Sequence, residues 1–332
     1  MLHPWLSRLA QYAVVLWVTL TLNFILPRVM PGNPLALLAG AEVTALTADE
    51  RSMLLSEAGL DRPLTTQYLH YLGNLARGDL GYSYQRHEPV TAVLASRLPW
   101  TLLLTVSSSL AAVLLGLVFG ALAARHHGRP VDAGLLGTFM LLESLPVFWV
   151  GMVLIALVAV QVPLFPTFGA VTTWIEYRGI AWVVDVAHHL VLPLVTLTVA
   201  TVSSTFLVAR AAISTVLSEP FIRAARAKGV TGTRLLVRHV LPNVLVPVVT
   251  VFGMNLAFAV GGATLVETVF SYPGVGRLVY EAVLSRDYPV LQAAFLMITL
   301  VVLLANLVID ACYPWLDPRL RTSRSPASGG RA

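Results

Sequence analysis

The residues of this chain best placed to do work lie in one basic loop. Between two long apolar stretches, Glu219 to Pro242 reads EPFIRAARAKGVTGTRLLVRHVLP. Ser218 is an acceptable N-cap, Pro220 fits a first helical turn, and Gly229 can adopt the left-handed conformation that stops a helix. The spacing therefore predicts a short helix over Glu219–Lys228. On it Phe221, Ala224, Ala225 and Lys228 fall at i, i+3, i+4 and i+7 and share a face, while Arg223 and Arg226 add positive charge. The two alanines leave that face shallow, so another backbone can pack closely against it. After Thr231-Gly232-Thr233 a second helix, from about Arg234, carries Arg238 and His239 toward Leu241-Pro242, where the next apolar stretch begins. Such residues make and break no bond; they suit a surface that is pushed on and passes the push into a membrane helix. A solvated basic connector is the plainer reading of an Arg-rich loop. A DNA-reading helix-turn-helix is excluded, because apolar spans flank the loop and leave no second helical layer, so no nucleic-acid partner is expected.

Other reactive groups are sparse. Glu143 is the one carboxylate near the middle of an apolar run, where a charge facing lipid would cost about 2.5 kcal/mol or more. It must face water, protein or a partner, either as a pathway residue meeting a cationic group or as an internally bonded or protonated acid. Thr196, Thr198, Thr201, Ser203, Ser204, Thr205, Thr250 and Asn255 can wet a seam between helices, although such residues more often bond their own helix. Gly116 and Gly120 form a small-xxx-small pair suited to close helix packing. His126-His127 and His188-His189 are adjacent pairs that diverge by about 100° on a helix, so neither is a ready metal site. Neither H-E-x-x-H nor G-x-S-x-G occurs. The only lysine, Lys228, follows Ala227, so no phosphate-cradling G-x-x-x-x-G-K-[ST] loop exists and any ATP hydrolysis must come from a partner.

The elements that position these residues are set by hydropathy. Of 332 residues 57% are hydrophobic and 12% charged, with mean hydropathy +0.77, far from a soluble domain. One cysteine, Cys312, excludes a disulfide framework. Six runs are long enough to cross ~30 Å of hydrocarbon: Leu9–Val29, Thr101–Ala124, Gly134–Val160, His189–Ala212, Leu241–Val266 and Pro289–Tyr313. The first exceeds a signal-peptide core and is read as a retained helix. With both termini in the cytoplasm, that side holds thirteen of the 22 Lys and Arg residues and four of the 17 acids, the asymmetry that insertion favours. The chain divides into a first transmembrane helix (1–30), an extracytoplasmic helical cap (31–100), a five-helix core (101–313) holding the loop at about 213–240, and a Ser-, Gly-, Pro- and Arg-rich cytoplasmic tail (314–332) whose composition predicts disorder.

The spacing Ala224-Ala225, three residues, Gly229, then Leu241-Pro242 resembles the cytoplasmic loop of ATP-binding-cassette (ABC) importer permeases. Arg223 stands where that family often has Glu, and with the AARAKG string and Arg238-His239 it looks like the dipeptide, oligopeptide and nickel branch. The resemblance extends over nearly the whole chain: PGNP (Pro31–Pro34), GLDRPL (Gly59–Leu64), RGDLGYSY (Arg77–Tyr84), LPVFWVG (Leu145–Gly151), HLVLP (His189–Pro193), ETVFSYPGVGRL (Glu267–Leu278), RDYPVLQ (Arg286–Gln292) and DPRLR (Asp317–Arg321). The N-terminal group is similar to the first of the two unlike permeases that such systems pair. Asn33 stands where an acid is expected.

The resemblance implies an all-α polytopic membrane protein of the type I ABC importer permease fold, with six transmembrane helices, in a bacterial inner membrane. It implies four kinds of neighbour: a second related permease, two ABC ATPase subunits that bind the ATP and Mg, an external substrate-binding protein, and the lipid bilayer. No catalytic residue, metal or cofactor is implied for this chain. Around the outer turn, Glu267, Pro273, Gly274 and Arg277 become candidates for the gate or for contact with the binding protein, against the plainer reading of a turn salt bridge. Di- or oligopeptides are the leading cargo, with nickel or a metal chelate second. An ion-coupled secondary carrier is disfavoured because Glu143 stands nearly alone in the membrane and no internal repeat or broken-helix pair is evident.

Overall fold

The computed structural model describes residues 3–29, 47, 62–83 and 85–316. The PGNP segment, the first half of GLDRPL, DPRLR and the tail beyond residue 316 lie outside the described residues. In chain order the elements are α1 (His3–Val29), α2 (Leu64–Ala76), β1 (Tyr82–Ser83), β2 (Glu88–Pro89), α3 (Val90–Arg125), α4 (Pro130–Ser144), α5 (Val147–Leu154), α6 (Ile180–Ser218), α7 (Pro220–Ala227), α8 (Gly232–Leu235), α9 (Leu241–Val269), α10 (Val275–Ser285) and α11 (Tyr288–Leu316). Wide π turns follow α5 (Ile155–Gln161) and α8 (Leu236–Val240).

Among the described residues five helices are long and apolar enough to cross a membrane, and six crossings result if the bent pair α4–α5 is one span. That pair corrects the expectation of a straight third span. Pro146 has no N–H to continue the ladder and pushes Leu145 into extended backbone (ψ 130°), so the two helices diverge by 96°. Two spans are longer than hydrocarbon requires. α6, at 39 residues, is about 58 Å long by its helical rise, so the expected His189–Ala212 is only its middle. The cap expectation changes as well. Its described part is one helix, α2, and a two-stranded antiparallel hairpin pairing Tyr82 with Pro89, while α3 starts at Val90, well before the expected Thr101.

The chain forms two compact units, residues 1–102 with 271–303, and 103–270 with 304–332. In the first, Val90, Val93 and Leu94 of α3 bury against Val275, Leu278 and Ala282 of α10 and Val290, Ala293 and Ala294 of α11. Thr101 Oγ1 accepts the Val275 N–H at 2.7 Å, and the Ser83 hydroxyl donates to the buried Asp287 carboxylate. Asn23 and Gln292 exchange side-chain amide to carbonyl bonds at 3.2 and 2.7 Å, clamping α1 to α11. The Arg28 guanidinium lies 3.6 Å over the Phe24 ring and donates to Gln67. Burial, then the neighbouring Tyr68, pushes the Tyr71 hydroxyl on α2 up to about 12.

The second unit is organised on α6. Gly116 and Gly120 of α3 lie so close to it that a Cβ on Gly120 would sit 2.9 Å from both the Ala209 Cβ and the Arg210 backbone nitrogen. The small-xxx-small spacing is therefore a packing seam. Phe139 of α4 stacks on Phe206 of α6 at 4.2 Å, within a core shared with Ala112, Ala123 and Val202.

Candidate functional site

The loop helix α7 is real but one residue out of phase with its predicted start. α6 runs through Ser218, whose hydroxyl donates to the Thr215 carbonyl at 2.7 Å instead of capping, and extended Glu219 (ψ 147°) is the N-cap residue. The stop is as expected. Gly229 has φ +82°, its N–H donates to the Arg226 carbonyl at 2.9 Å, and the Val230 N–H donates to the Ala225 carbonyl at 3.1 Å. Together these bonds make a Schellman closure, with Val230 folding back onto the apolar side of the helix.

The predicted shared face is split. Ile222 (0% exposed) and Ala225 turn inward, whereas Phe221 (43%), Arg223, Ala224, Arg226 and Lys228 remain exposed. At about 100° per residue the inward direction bisects Ile222 and Ala225, which leaves Arg223 and Ala224 across the helix from it. The inward pair packs into one apolar cluster with Ala121 and Ala124 of α3, Ala209 and Ile213 of α6, Leu235 of α8, and Val240, Val244 and Val248. α7 is thus embedded by one side in the ends of three long helices.

The second half of the loop is also firmer than expected. The helical path runs from Gly232 through the π turn carrying Arg238 and His239 and enters α9 without a break. Pro242 explains the wide turn, because its ring would clash with the Arg238 carbonyl in a regular α-helix. The Asn243 side chain donates to the freed region at the His239 carbonyl, 2.8 Å away. Leu241 and Pro242 therefore open the membrane helix itself.

Beside this cluster lies a pair that the residue pattern did not single out. Arg210 of α6 donates Nε to Asp132 Oδ1 at 2.6 Å and Nη2 to Oδ2 at 2.7 Å. Gly128 N–H adds a bond to Oδ2 at 3.1 Å, and His127 Nδ1 lies 3.3 Å from it. Asp132 is 3% exposed. A sequence signal did exist: an acid in the first turn after a helix-opening proline, and a lone arginine inside an apolar run, each needing a partner.

The remaining candidates separate. Glu143 lies at the end of α4, beside the elbow at Leu145-Pro146, exposed and with no hydrogen bond or ion pair to a described residue. Glu267 is fully buried in α9, which corrects its reading as a surface contact. Arg277 bonds Glu281 Oε1 at 2.8 Å, and Arg86 takes the other oxygen. Pro273 and Gly274 form a tight turn, with Gly274 N–H on the Tyr272 carbonyl at 2.8 Å, and Gly274 caps α10. Thr196, Thr201 and Thr250 bond carbonyls four residues back in their own helices, the plainer expectation. Other bonds cross between helices, the shortest from Ser203 Oγ to the Phe139 carbonyl at 2.8 Å and from Asn255 Nδ2 to Thr205 Oγ1 at 3.0 Å, with longer ones from Thr198 Oγ1 to the Ser108 carbonyl and from Ser204 Oγ to Asn255 Oδ1, both at 3.4 Å. His188 and His189 bond different carbonyls, those of Leu164 and Asp185. No group of three His, Cys, Asp or Glu among the described residues could hold a metal.

Known proteins with these features are consistent in kind. Residues 116–322 match the family described as "Binding-protein-dependent transport system inner membrane component", and residues 1–105 match the N-terminal segment of such membrane components. The oligopeptide transport system permease protein AppB of Bacillus subtilis is 34% identical over 94% of this chain and 96% of its own length. The glutathione transport system permease protein GsiC of Escherichia coli (strain K12) is 36% identical over 97% and 99%. In a structure of inward-facing conformations of the MetNI methionine ABC transporter, one chain superposes with TM-score 0.55 at 19% identity, over 68% of this chain and 97% of that one. At that identity the likeness is one of fold.

Proposed function

This chain belongs to the family of binding-protein-dependent transport system inner membrane components, and on that premise we propose that it is the permease subunit of an ATP-driven importer of di- or oligopeptides. It is a multi-pass inner-membrane protein that works with ATPase subunits and a substrate-binding protein. In our reading two ATPase subunits bind the ATP and Mg, a second related permease completes the pathway, and both termini face the cytoplasm. The chain itself makes no bond. The relatives named for oligopeptides and for glutathione, itself a tripeptide, favour peptide cargo over nickel or a metal chelate.

One observation carries the mechanism: the inward side of α7 shares a single apolar cluster with the ends of α3, α6 and α9. Close-packed interiors transmit displacement because they deform little. When the ATPase pair closes on the exposed side of α7, at Phe221, Arg223, Ala224 and Lys228, the three helix ends move with it. The run from Gly232 into α9 gives a second, covalent route. The spans then rock between inward-open and outward-open states and the peptide passes between the two permeases.

The test is uptake by the complete complex in proteoliposomes supplied with peptide-loaded binding protein. Uptake should vanish with a hydrolysis-dead ATPase partner and survive a protonophore. Transport that persists with the dead partner, or collapses with the protonophore, overturns the reading in favour of an ion-coupled carrier. Ligand binding by the cognate binding protein identifies the cargo.

A further inference from the structure

We propose that the chain holds a site for a phosphate group in a cavity of about 510 Å³ between the end of α3, the last turns of α6 and the loop helices α7 and α8. Arg125 of α3 and Arg226 of α7 both line it, and no carboxylate does. Neither guanidinium has a hydrogen bond or ion pair to a described residue. The nearby Asp132 does not compensate them, since Arg210 already holds both of its oxygens. Two cations lining one cavity repel, and an anion held by both turns that repulsion into charge-assisted contacts.

One hydroxyl of the lining is also uncommitted. Thr231 opens α8 without using its side chain as a cap. Guanidinium forks and hydroxyl donors are the groups that recognise phosphate oxygens. The volume exceeds a bare phosphate and falls among small-molecule cavities of roughly 300–1,000 Å³. Leu217, Leu235 and Leu236 give the rest of the wall an apolar side that suits the carbon skeleton of a phosphate ester. Two sources supply this chemistry: an anionic phospholipid headgroup, which basic pockets at helix ends attract, and a soluble phosphate compound.

The test compares wild type with Arg125→Gln, a residue outside the loop proposed to meet the ATPase, and with Thr231→Val. Each is purified as the full complex in detergent, and melting is followed while three probes are titrated: dihexanoylphosphatidylglycerol, inorganic phosphate and dihexanoylglycerol. Phosphate bound by the ATPase subunits is common to all three proteins and cancels. The expected result is a saturable rise in melting temperature with a phosphate-bearing probe and none with dihexanoylglycerol, its midpoint weakened about tenfold or more in Arg125→Gln and less in Thr231→Val. A response to the lipid but not to inorganic phosphate assigns the headgroup, and the converse assigns a soluble ligand. Equal midpoints in wild type and both variants, or no response to any phosphate-bearing probe, would overturn the proposal.

Discussion

Arg210 holds Asp132 through both of its oxygens, at 2.6 and 2.7 Å, and so ties the long helix α6 to the first turn of the broken span α4. The carboxylate is almost fully buried and takes a further N–H from Gly128, whereas Arg210 keeps some solvent access. Removing one partner strands the other's charge, which in buried pairs costs about 3 to 5 kcal/mol. Arg210→Gln, which strands the buried carboxylate, should therefore lower the melting temperature of the complex sharply, and Asp132→Asn somewhat less. The double variant should lose less than the sum of the two, with a coupling of about 1 to 3 kcal/mol. Strict additivity in chemical or thermal denaturation would show that the contact does not bind the helices together.

The two sides of α7 should fail in different ways. Ile222 fills the apolar cluster, so Ile222→Ala should destabilise the protein itself by about 2 to 5 kcal/mol. Phe221 is substantially exposed, and Phe221→Ser should change stability by no more than about 0.5 kcal/mol. It should nevertheless lower co-purification of the ATPase subunits and peptide uptake. Finding that Phe221→Ser melts early while still retaining the ATPase would place the docking face elsewhere.

What the residue pattern revealed and what it concealed divide along physical lines. The apolar runs and the Gly229 stop were legible because each depends on local chemistry: hydrocarbon length in one case, a left-handed φ in the other. The face of α7 was misread because two alanines look equivalent until tertiary packing chooses between them. Ala225 went inward beside Ile222 because Ile213 and Leu235 offered apolar cover there. The α4–α5 elbow was hidden by a continuous apolar run, although Leu145-Pro146 carried the break signal. The Arg210–Asp132 pair spans 78 residues of sequence, a separation that no local spacing can report.

Gly229 tests the closure of the loop helix. Its φ of +82° is strained for any side chain, yet no atom lies within 4 Å of where a Cβ would stand. Gly229→Ala should therefore cost only about 1 to 2 kcal/mol, the left-handed penalty alone. Gly229→Pro cannot reach that φ and also deletes the N–H that donates to the Arg226 carbonyl, so the Schellman closure is lost. The proline variant should insert in the membrane at normal levels but fail to retain the ATPase subunits. The alanine variant should retain them. Equal retention by both would mean that the helix end does not position the docking face.

Glu143 presents a different problem, because its surroundings in the single chain do not account for it. It is exposed beside the α4–α5 elbow, where Pro146 ends the helical ladder, and a charge left against lipid there would cost about 2.5 kcal/mol or more. Water in a pathway or a group on another subunit must therefore meet it. Glu143→Gln keeps the shape and removes the charge. If the carboxylate serves the pathway, uptake should fall severalfold while the melting temperature and co-purification of all partners stay at wild-type values. Glu143→Asp, which restores the charge on a shorter stem, should recover part of the rate. Wild-type uptake in Glu143→Gln would remove the charge from the transport mechanism, and a loss of partner subunits would move it to a subunit interface. Measuring uptake and subunit retention on the same preparations separates the three outcomes.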